Sequence, residues 1–181
     1  MKDFITHIVS NRANFVNVDL NYKDINELEG SVLKSLGLES TFQLNDRYDG
    51  VSFFKKFSRK VSGVIVLEKL LGIEILNWQK INPANYKPII IFEGKKIEVV
   101  TFDIKTFPKI PMINKIPKLF IMQSDKRKFS VCGFANTEIL NKYQDINLMN
   151  DYLAKDLTAF FGFRYLIKFT NTADLKVLID S

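Results

Sequence analysis

The amino-acid sequence predicts one domain of the α/β (α+β) class, centred on a basic β-hairpin at about residues 86–107. The length of 181 residues suits a single domain. Apolar residues recur with helical spacing in some segments and with strand-like spacing in others. A glycine-containing turn also joins two runs rich in β-branched residues, which is typical of a hairpin. We expect residues 1–50 to form an N-terminal strand and helix extension that packs on a core of residues 51–181.

The N-terminal part contains one predicted strand and one predicted helix. Residues 14–20 alternate imperfectly between apolar and polar types, as in a half-buried strand. Residues 24–37 carry apolar side chains at helical spacing. Asp24 is the expected cap of this helix and Gly37 its expected end. Residues 41–50 are polar and predicted to form turns.

A second helix is predicted over about residues 52–71 and is followed by a short strand. Val64 and Leu67 belong to a stripe of apolar residues that one helix face would bury. Gly72 suits the end of that helix, because glycine readily adopts the left-handed conformation found there. Residues 74–78 have the composition of a short strand.

The predicted hairpin is the clearest local pattern. Residues 87–92 form its first strand and residues 96–105 its longer second strand, with Glu93 and Gly94 in the turn. Pro88 stands at the start of the first strand, where its missing N–H does little harm.

The C-terminal third is predicted to add three strands and two helices. Residues 118–122 and 128–132 are predicted strands, because both are rich in aromatic and β-branched residues. Residues 137–143 and 150–161 are predicted helices, and residues 163–169 a last strand. Strands that follow a helix and a hairpin, and then further helices, indicate a layered domain.

Composition narrows the classes of function. The chain has one cysteine and one histidine, which excludes a disulfide within the chain and a metal site built from these residue types. Cys132 is predicted to be a small buried residue of a strand. Neither a signal peptide nor a membrane span is predicted, so we expect a cytoplasmic protein without a membrane partner. The net charge of +6 favours anionic partners such as nucleic acid, although an AT-rich genome would also enrich lysine.

Acidic residues on and near the hairpin suggest a site for phosphodiester chemistry. Glu68 lies on the second predicted helix, and Glu98 lies in the long strand within the run Ile-Glu-Val-Val-Thr-Phe. Hydrolysis of this kind uses carboxylates to hold Mg²⁺ and commonly a lysine to stabilise developing charge.

The order of these elements over about residues 60–135 resembles the PD-(D/E)xK superfamily of restriction endonuclease-like nucleases. The resemblance implies a mixed β-sheet flanked by helices, with a Mg²⁺-dependent site on the hairpin. The family usually has an aspartate where this chain has Ile89 and a lysine where it has Val100. Glu98 matches the family's strand acid and Glu68 its helix acid, so the motif is incomplete.

The same strand also fits the motif in a second register. Asp103 and Lys105 form an Asp-x-Lys whose side chains point to one face, opposite to Glu98. In this register an amide, Asn85, replaces the expected second acid. The two registers cannot face one site without a bulge, because a shift of one residue reverses the direction of the side chains. The candidate catalytic residues are Glu98, Asp103 and Lys105, and the candidate metal ligands are Glu68, Glu98 and Asp103.

Basic residues fall in groups that could contact a phosphate backbone. Many such groups along one surface are needed for binding, but solvated surface charge is the ordinary alternative. The candidate nucleic-acid contacts are Lys55, Lys56, Arg59, Lys60, Lys95, Lys96, Lys109 and Lys115.

Three hypotheses of function follow. The first is a divergent nuclease-like protein that acts on or binds nucleic acid with Mg²⁺ as its cofactor. The second is an inactive protein of the same fold, used for binding or structure, for example in a phage or mobile element. The third is an interaction protein of unrelated α+β fold, which is favoured if the hairpin does not lie at the centre of the sheet. Convergence of the carboxylates in a cleft would favour the first over the second.

Overall fold

The computed structural model describes residues 2–45, 49–149 and 156–180, and it shows a mixed α/β fold with two sheets. The α-helices within these ranges are α1 (Lys2–His7), α2 (Tyr22–Ser35), α3 (Gly50–Leu71), α4 (Thr137–Lys142) and α5 (Thr172–Asp180). The strands of the same described residues are β1 (Val16–Asp19), β2 (Ile89–Phe92), β3 (Lys95–Asp103), β4 (Lys109–Pro111), β5 (Lys118–Gln123), β6 (Lys128–Ala135), β7 (Gln144–Asp145) and β8 (Leu157–Phe160). None of the described helices is long and apolar enough to cross a membrane.

The larger sheet has the strand order β1-β6-β5-β3-β2. The predicted hairpin is present as β2 and β3, which pair antiparallel around the turn at Glu93 and Gly94. Strands β3 and β5 run parallel, and the other neighbours in the sheet run antiparallel. Among the described residues the hairpin does not lie at the centre of the sheet, because its first strand, β2, forms one edge and its second strand, β3, is next to that edge. This position favours the third hypothesis, an interaction protein of unrelated α+β fold.

A smaller sheet of three strands has the order β4-β8-β7. The prediction of a helix over residues 150–161 is wrong where the structure describes this segment, because residues 157–160 form β8. Residues 150–155 lie outside the described residues. The run Leu157–Phe160 is short and largely buried, and periodicity alone cannot distinguish a strand from a helix in such a run.

The core has two main parts, one on each face of the larger sheet. On one face, Ile97 and Val99 of β3 pack with the apolar side of α3. On the other face, Phe102 joins a cluster in which Phe120 and Phe160 stack with ring centroids 4.5 Å apart. The alternation of side chains along β3 therefore sends Glu98 and Val100 to the face opposite α3.

Helix α3 approaches β3 closely because residue 63 is glycine. A Cβ atom at Gly63 would lie 1.9 Å from Oγ1 of Thr101. The helix ends at Gly72, which has the left-handed φ of 66° that the sequence led us to expect. The predicted bounds of this helix are confirmed to within two residues at its start.

The N-terminal residues are part of the main sheet. Strand β1 pairs with β6 over its whole length, from Val16 opposite Val131 to Asp19 opposite Lys128. Helix α2 begins two residues earlier than predicted, and Asn21 is its N-cap. Asp24 instead completes a capping box, in which its carboxylate accepts a hydrogen bond from the N–H of Asn21.

Two predicted strands are absent from the described residues. Residues 74–78 have no sheet partner, and the carboxylate of Glu68 accepts hydrogen bonds from the backbone N–H groups of Ile75 and Leu76. In the predicted strand at 163–169, residues Phe163–Tyr165 form a turn of 3₁₀-helix. Only Ile167 in that segment makes a β-bridge, which joins it to Phe134.

Candidate functional site

A cleft of about 580 Å³ lies beside β3, where the pairing with β2 ends. Strand β2 extends along β3 only as far as the pair Ile89–Glu98, so no described strand pairs with this edge of β3 beyond Val99. The segment that includes β4 forms the opposite wall. The charged residues that line the cleft are Lys60, Lys87, Glu98, Lys109, Lys115 and Lys118.

Glu98 and Lys118 form an ion pair within this cleft. The parallel pairing of β3 with β5 places the two residues opposite each other. The Lys118 side chain is 2% exposed and the Glu98 side chain 31% exposed, so the ammonium is buried and the carboxylate is reached from the cleft. Sequence reasoning missed Lys118 as a site residue, because no local pattern shows that β3 and β5 are neighbours.

The two positions at which this chain departs from the family motif, Ile89 and Val100, also lie in the cleft. Ile89 pairs directly with Glu98 across the hairpin, and Val100 is two residues further along β3. An aspartate at 89 and a lysine at 100 would therefore lie beside Glu98. The isoleucine and the valine give this part of the cleft an apolar surface.

The second register of the motif lies outside the cleft. Asp103 points to the α3 face, and its Oδ2 is 2.8 Å from Nη1 of Arg59. Lys105 follows the end of β3 in an exposed turn with a φ of 82°. Asp103 and Glu98 are thus on opposite faces of one strand, as their spacing predicts.

Glu68 has a structural role on α3. Its Oε1 lies 2.7 Å from the N atom of Ile75 and 2.6 Å from that of Leu76, so it holds the chain that follows the helix. Burial, reinforced by the charge of Glu68, raises the pKa of Tyr86 to about 12. This carboxylate therefore belongs to the packing of α3 against residues 75–86, not to the cleft.

The three predicted metal ligands, Glu68, Glu98 and Asp103, occupy three separate environments. Among residues 2–45, 49–149 and 156–180, no group of three or more acidic, histidine or cysteine side chains is arranged to hold a metal ion. The cleft around Glu98 is rich in lysine, and its carboxylate already binds the Lys118 ammonium. This donor set does not fit Mg²⁺, which prefers carboxylate and phosphate oxygens and is repelled by neighbouring ammonium groups.

The predicted basic contacts divide between three places. Lys60, Lys109 and Lys115 line the cleft, and Lys60 donates a hydrogen bond to the carbonyl of Tyr86. The second group lies near the start of α3, beside a different pocket, and consists of Lys55, Lys56 and Arg59. The third group is at the tip of the hairpin, where Lys95 pairs with Asp180 and Lys96 is exposed. Lys87, which sequence reasoning did not select, is exposed at the rim of the cleft.

Comparison of the chain with protein-family models, with curated proteins and with solved structures finds no match. The resemblance to the PD-(D/E)xK superfamily therefore stays a prediction from the sequence motif. The strand order, the lysine-lined cleft and the Glu98–Lys118 pair are the observations on which a function can be argued.

Proposed function

We propose that this protein binds nucleic acid in the cleft beside β3 and does not cleave it with a metal ion. The observation that carries the proposal is the charge of the cleft, which the described residues line with five lysines and one acid, Glu98, that is itself paired with one of those lysines. Phosphate groups are the common anionic feature of nucleic acids, and lysines on one surface bind them by displacing counterions. The net charge of +6 on the chain adds long-range attraction.

The backbone of β3 adds a donor to the cleft. The N–H of Glu98 points to β5, where it donates to the carbonyl of Pro117, whereas the N–H of Val99 points to β2. Alternate residues of a strand point the same way, so the N–H of Thr101 points to the open edge of β3. A phosphate in the cleft can accept this hydrogen bond in addition to its lysine contacts.

Apolar side chains beside the lysines suit the remainder of a nucleotide. Ile113 is 75% exposed at the rim, and Ile89 is 38% exposed on the opposite side. The sugar rings and the faces of the bases offer apolar surface that such side chains can cover. The combination favours a polymer that carries both phosphates and bases over a small inorganic anion.

The test is fluorescence anisotropy of labelled single-stranded and double-stranded oligonucleotides at two salt concentrations. We expect the double variant Lys87→Glu/Lys115→Glu to bind at least about tenfold more weakly than the wild type, because two phosphate contacts become repulsive. We also expect the logarithm of the association constant to fall less steeply with the logarithm of the salt concentration in this variant than in the wild type. No binding by the wild type to any of these substrates would overturn the proposal.

A matched control changes the same net charge away from the cleft. Lys23 and Lys34 lie on α2, and Lys23 forms an exposed ion pair with Glu27 of the same helix. The variant Lys23→Glu/Lys34→Glu should retain affinity to within about threefold, because screening weakens distant charges. An equal loss in both double variants would show that net charge, and not the cleft, determines binding.

The same oligonucleotides decide whether hydrolysis occurs. Incubation of the wild type with Mg²⁺ or Mn²⁺ should leave them intact, because the candidate metal ligands Glu68, Glu98 and Asp103 do not converge in the cleft. Cleavage by the wild type that is lost in Glu98→Ala, in a variant that circular dichroism shows to be folded, and retained in Lys105→Ala would support a nuclease at Glu98 instead. Cleavage that is lost in Lys105→Ala would support the second register.

A further inference from the structure

We propose that a pocket between α2 and α3 binds a single-chain amphiphile with one negative charge, such as a medium-chain carboxylic acid. This interhelical pocket has a volume of about 580 Å³, which is within the range of small-molecule sites. It shares no lining residue with the cleft beside β3. The inference therefore concerns a second site and goes beyond the proposed binding of nucleic acid.

The space exists because α3 presents small side chains at this point. Elsewhere on the helix, Phe57 and Val61 pack in one cluster with apolar residues of α2. At the pocket, Ser58 and Ser62 stand where larger side chains would fill the gap. The Ser58 hydroxyl oxygen is buried and has no hydrogen-bond partner among the described residues. A hydrogen bond to the described chain therefore does not explain the serine, and its effect on the structure is to leave room.

Apolar side chains form a large part of the pocket wall. Ile25 and Leu28 of α2 are 4% and 5% exposed, and Leu44, in the segment that precedes α3, is 4% exposed. Phe54 of α3 is half-buried beside them. A hydrocarbon chain suits this wall, because each methylene group that leaves water for an apolar surface favours binding.

The charges of the lining leave one cation over. Glu29 is the acid among the described lining residues, and its Oε1 is 2.6 Å from Nζ of Lys126. Arg59 is paired with Asp103. Lys55 is exposed and forms no ion pair with a described residue. A ligand with a single negative charge is therefore the one that this lining complements.

The cationic groups lie together at one end of the interhelical pocket. A neighbouring pocket beside the first turns of α3 shares Lys55 and Arg59 with it, but not Ile25, Leu28 or Phe54. The Nε atom of Arg59 is buried and has no acceptor among the described residues, and an anionic head at this end would supply one. Charge at one end and apolar wall at the other match the two parts of an amphiphile.

The test is isothermal titration calorimetry of the full chain with decanoate, in the absence of nucleic acid. We expect decanoate to bind at a single site on each chain. Decyltrimethylammonium, which has the same hydrocarbon chain and the opposite charge, should bind at least about tenfold more weakly. Acetate, which has the carboxylate but lacks the chain, should give no measurable binding, because the apolar wall then contributes nothing.

A charge reversal tests the cationic end. Lys55→Glu should weaken the binding of decanoate by at least about tenfold, because the carboxylate then meets a like charge. Lys34→Glu makes the same change of charge at an exposed residue of α2 that does not line the pocket. This control should retain the affinity to within about threefold, because solvent and salt screen the more distant charge.

A change of volume tests the space between the helices. Ser58→Phe should abolish the binding of decanoate, because the ring occupies the pocket, whereas Ser58→Ala keeps the space and should bind to within about threefold of the wild type. Circular dichroism shows whether each variant is folded, and Lys55→Glu decides alone if Ser58→Phe is not.

Three results would overturn the proposal. They are a wild type that does not bind decanoate, equal affinity for the cationic amphiphile, and equal losses in Lys55→Glu and Lys34→Glu. Binding that persists in a folded Ser58→Phe would place the amphiphile elsewhere and would also contradict it. Because no nucleic acid is present, each of these results leaves the proposed binding function to be decided by its own experiment.

Discussion

The Glu98–Lys118 pair sets the chemistry of the cleft at the scale of single residues. A buried ammonium is unfavourable unless a carboxylate compensates it, and Lys118 is almost wholly buried. Glu98 therefore stabilises the fold as well as shaping the charge of the cleft. This assignment differs from the one that the family motif implies, in which the same carboxylate is available to a metal ion.

Removal of the acid from this pair should be strongly destabilising. We expect Glu98→Gln to lower the free energy of unfolding by about 3 kcal/mol, because it leaves the Lys118 charge buried without a partner. The double variant Glu98→Leu/Lys118→Met should lie within about 1 kcal/mol of the wild type, since it removes both charges together. Urea unfolding followed by circular dichroism measures both values.

An exposed ion pair supplies the control for that measurement. Arg59 and Asp103 are 37% and 43% exposed, so Asp103→Asn should cost less than about 1 kcal/mol. If Glu98→Gln costs no more than Asp103→Asn, the Glu98–Lys118 pair is not the buried contact that we describe.

At the scale of elements, the sequence is most informative where a pattern is local. The turn at Glu93 and Gly94 and the helical stripe of α3 are both visible in short windows, and both elements are confirmed. The strand predicted at 74–78 is wrong, and two of its backbone N–H groups instead donate to the Glu68 carboxylate near the end of the preceding helix, a side-chain contact that apolar and polar alternation does not show. The pair Glu98–Lys118 was not predictable, because it depends on parallel pairing across a connection of fourteen residues, 104–117.

The start of α2 offers a test at this scale, through the acid Asp24. Its carboxylate accepts hydrogen bonds from Lys69 Nζ, at 2.6 Å, and from the N–H of Asn21, at 2.8 Å. Burial opposes the ionisation of Asp24, but these hydrogen bonds and the charge of Lys69 outweigh it and hold its pKa below the ordinary value. The lowered pKa means that the folded state favours the ionised form.

The stability from Asp24 should therefore depend on pH. A carboxyl group whose pKa is lowered by folding stabilises the protein above its unfolded pKa of about 3.9, and the effect is lost as pH falls through the folded pKa. We expect Asp24→Asn to lower the free energy of unfolding by about 1 kcal/mol at neutral pH. The difference from the wild type should shrink at about pH 2.5, as measured by urea unfolding at both pH values.

The neighbouring acid on the same helix is the reference. Glu27 makes only an exposed pair with Lys23, so Glu27→Gln should change stability by a few tenths of a kcal/mol. A loss in Asp24→Asn that is equal at both pH values would indicate lost packing and contradict the electrostatic explanation.

At the scale of the whole molecule, residues near the start of the chain belong to the same sheet and core as strands far along the sequence. Strand β1 completes the larger sheet beside β6, and Leu20, which is 0% exposed, lies in the same core cluster as Val64 and Ile97. The other face of β6 carries Cys132, which is also 0% exposed. The sequence does not show that β1 pairs with β6, so it predicts residues 1–50 as an extension packed on the core. Because β1 is a strand of the larger sheet, we expect residues 2–45 to unfold together with the remainder of the described chain.

A destabilising substitution in the N-terminal part should therefore increase the exposure of a buried residue on the opposite face of the sheet. We expect Leu20→Ala to lower the free energy of unfolding by about 2–5 kcal/mol, through lost burial and the cavity that remains. Cys132 is the chain's single cysteine, and burial raises the pKa of its thiol, so it reacts with a thiol reagent mainly when the protein opens. In Leu20→Ala the labelling rate of Cys132 should rise by the factor that corresponds to the loss of stability measured with urea. An unchanged labelling rate, with a large loss of stability in urea, would mean that residues 2–45 open separately and that the sheet is not one cooperative unit.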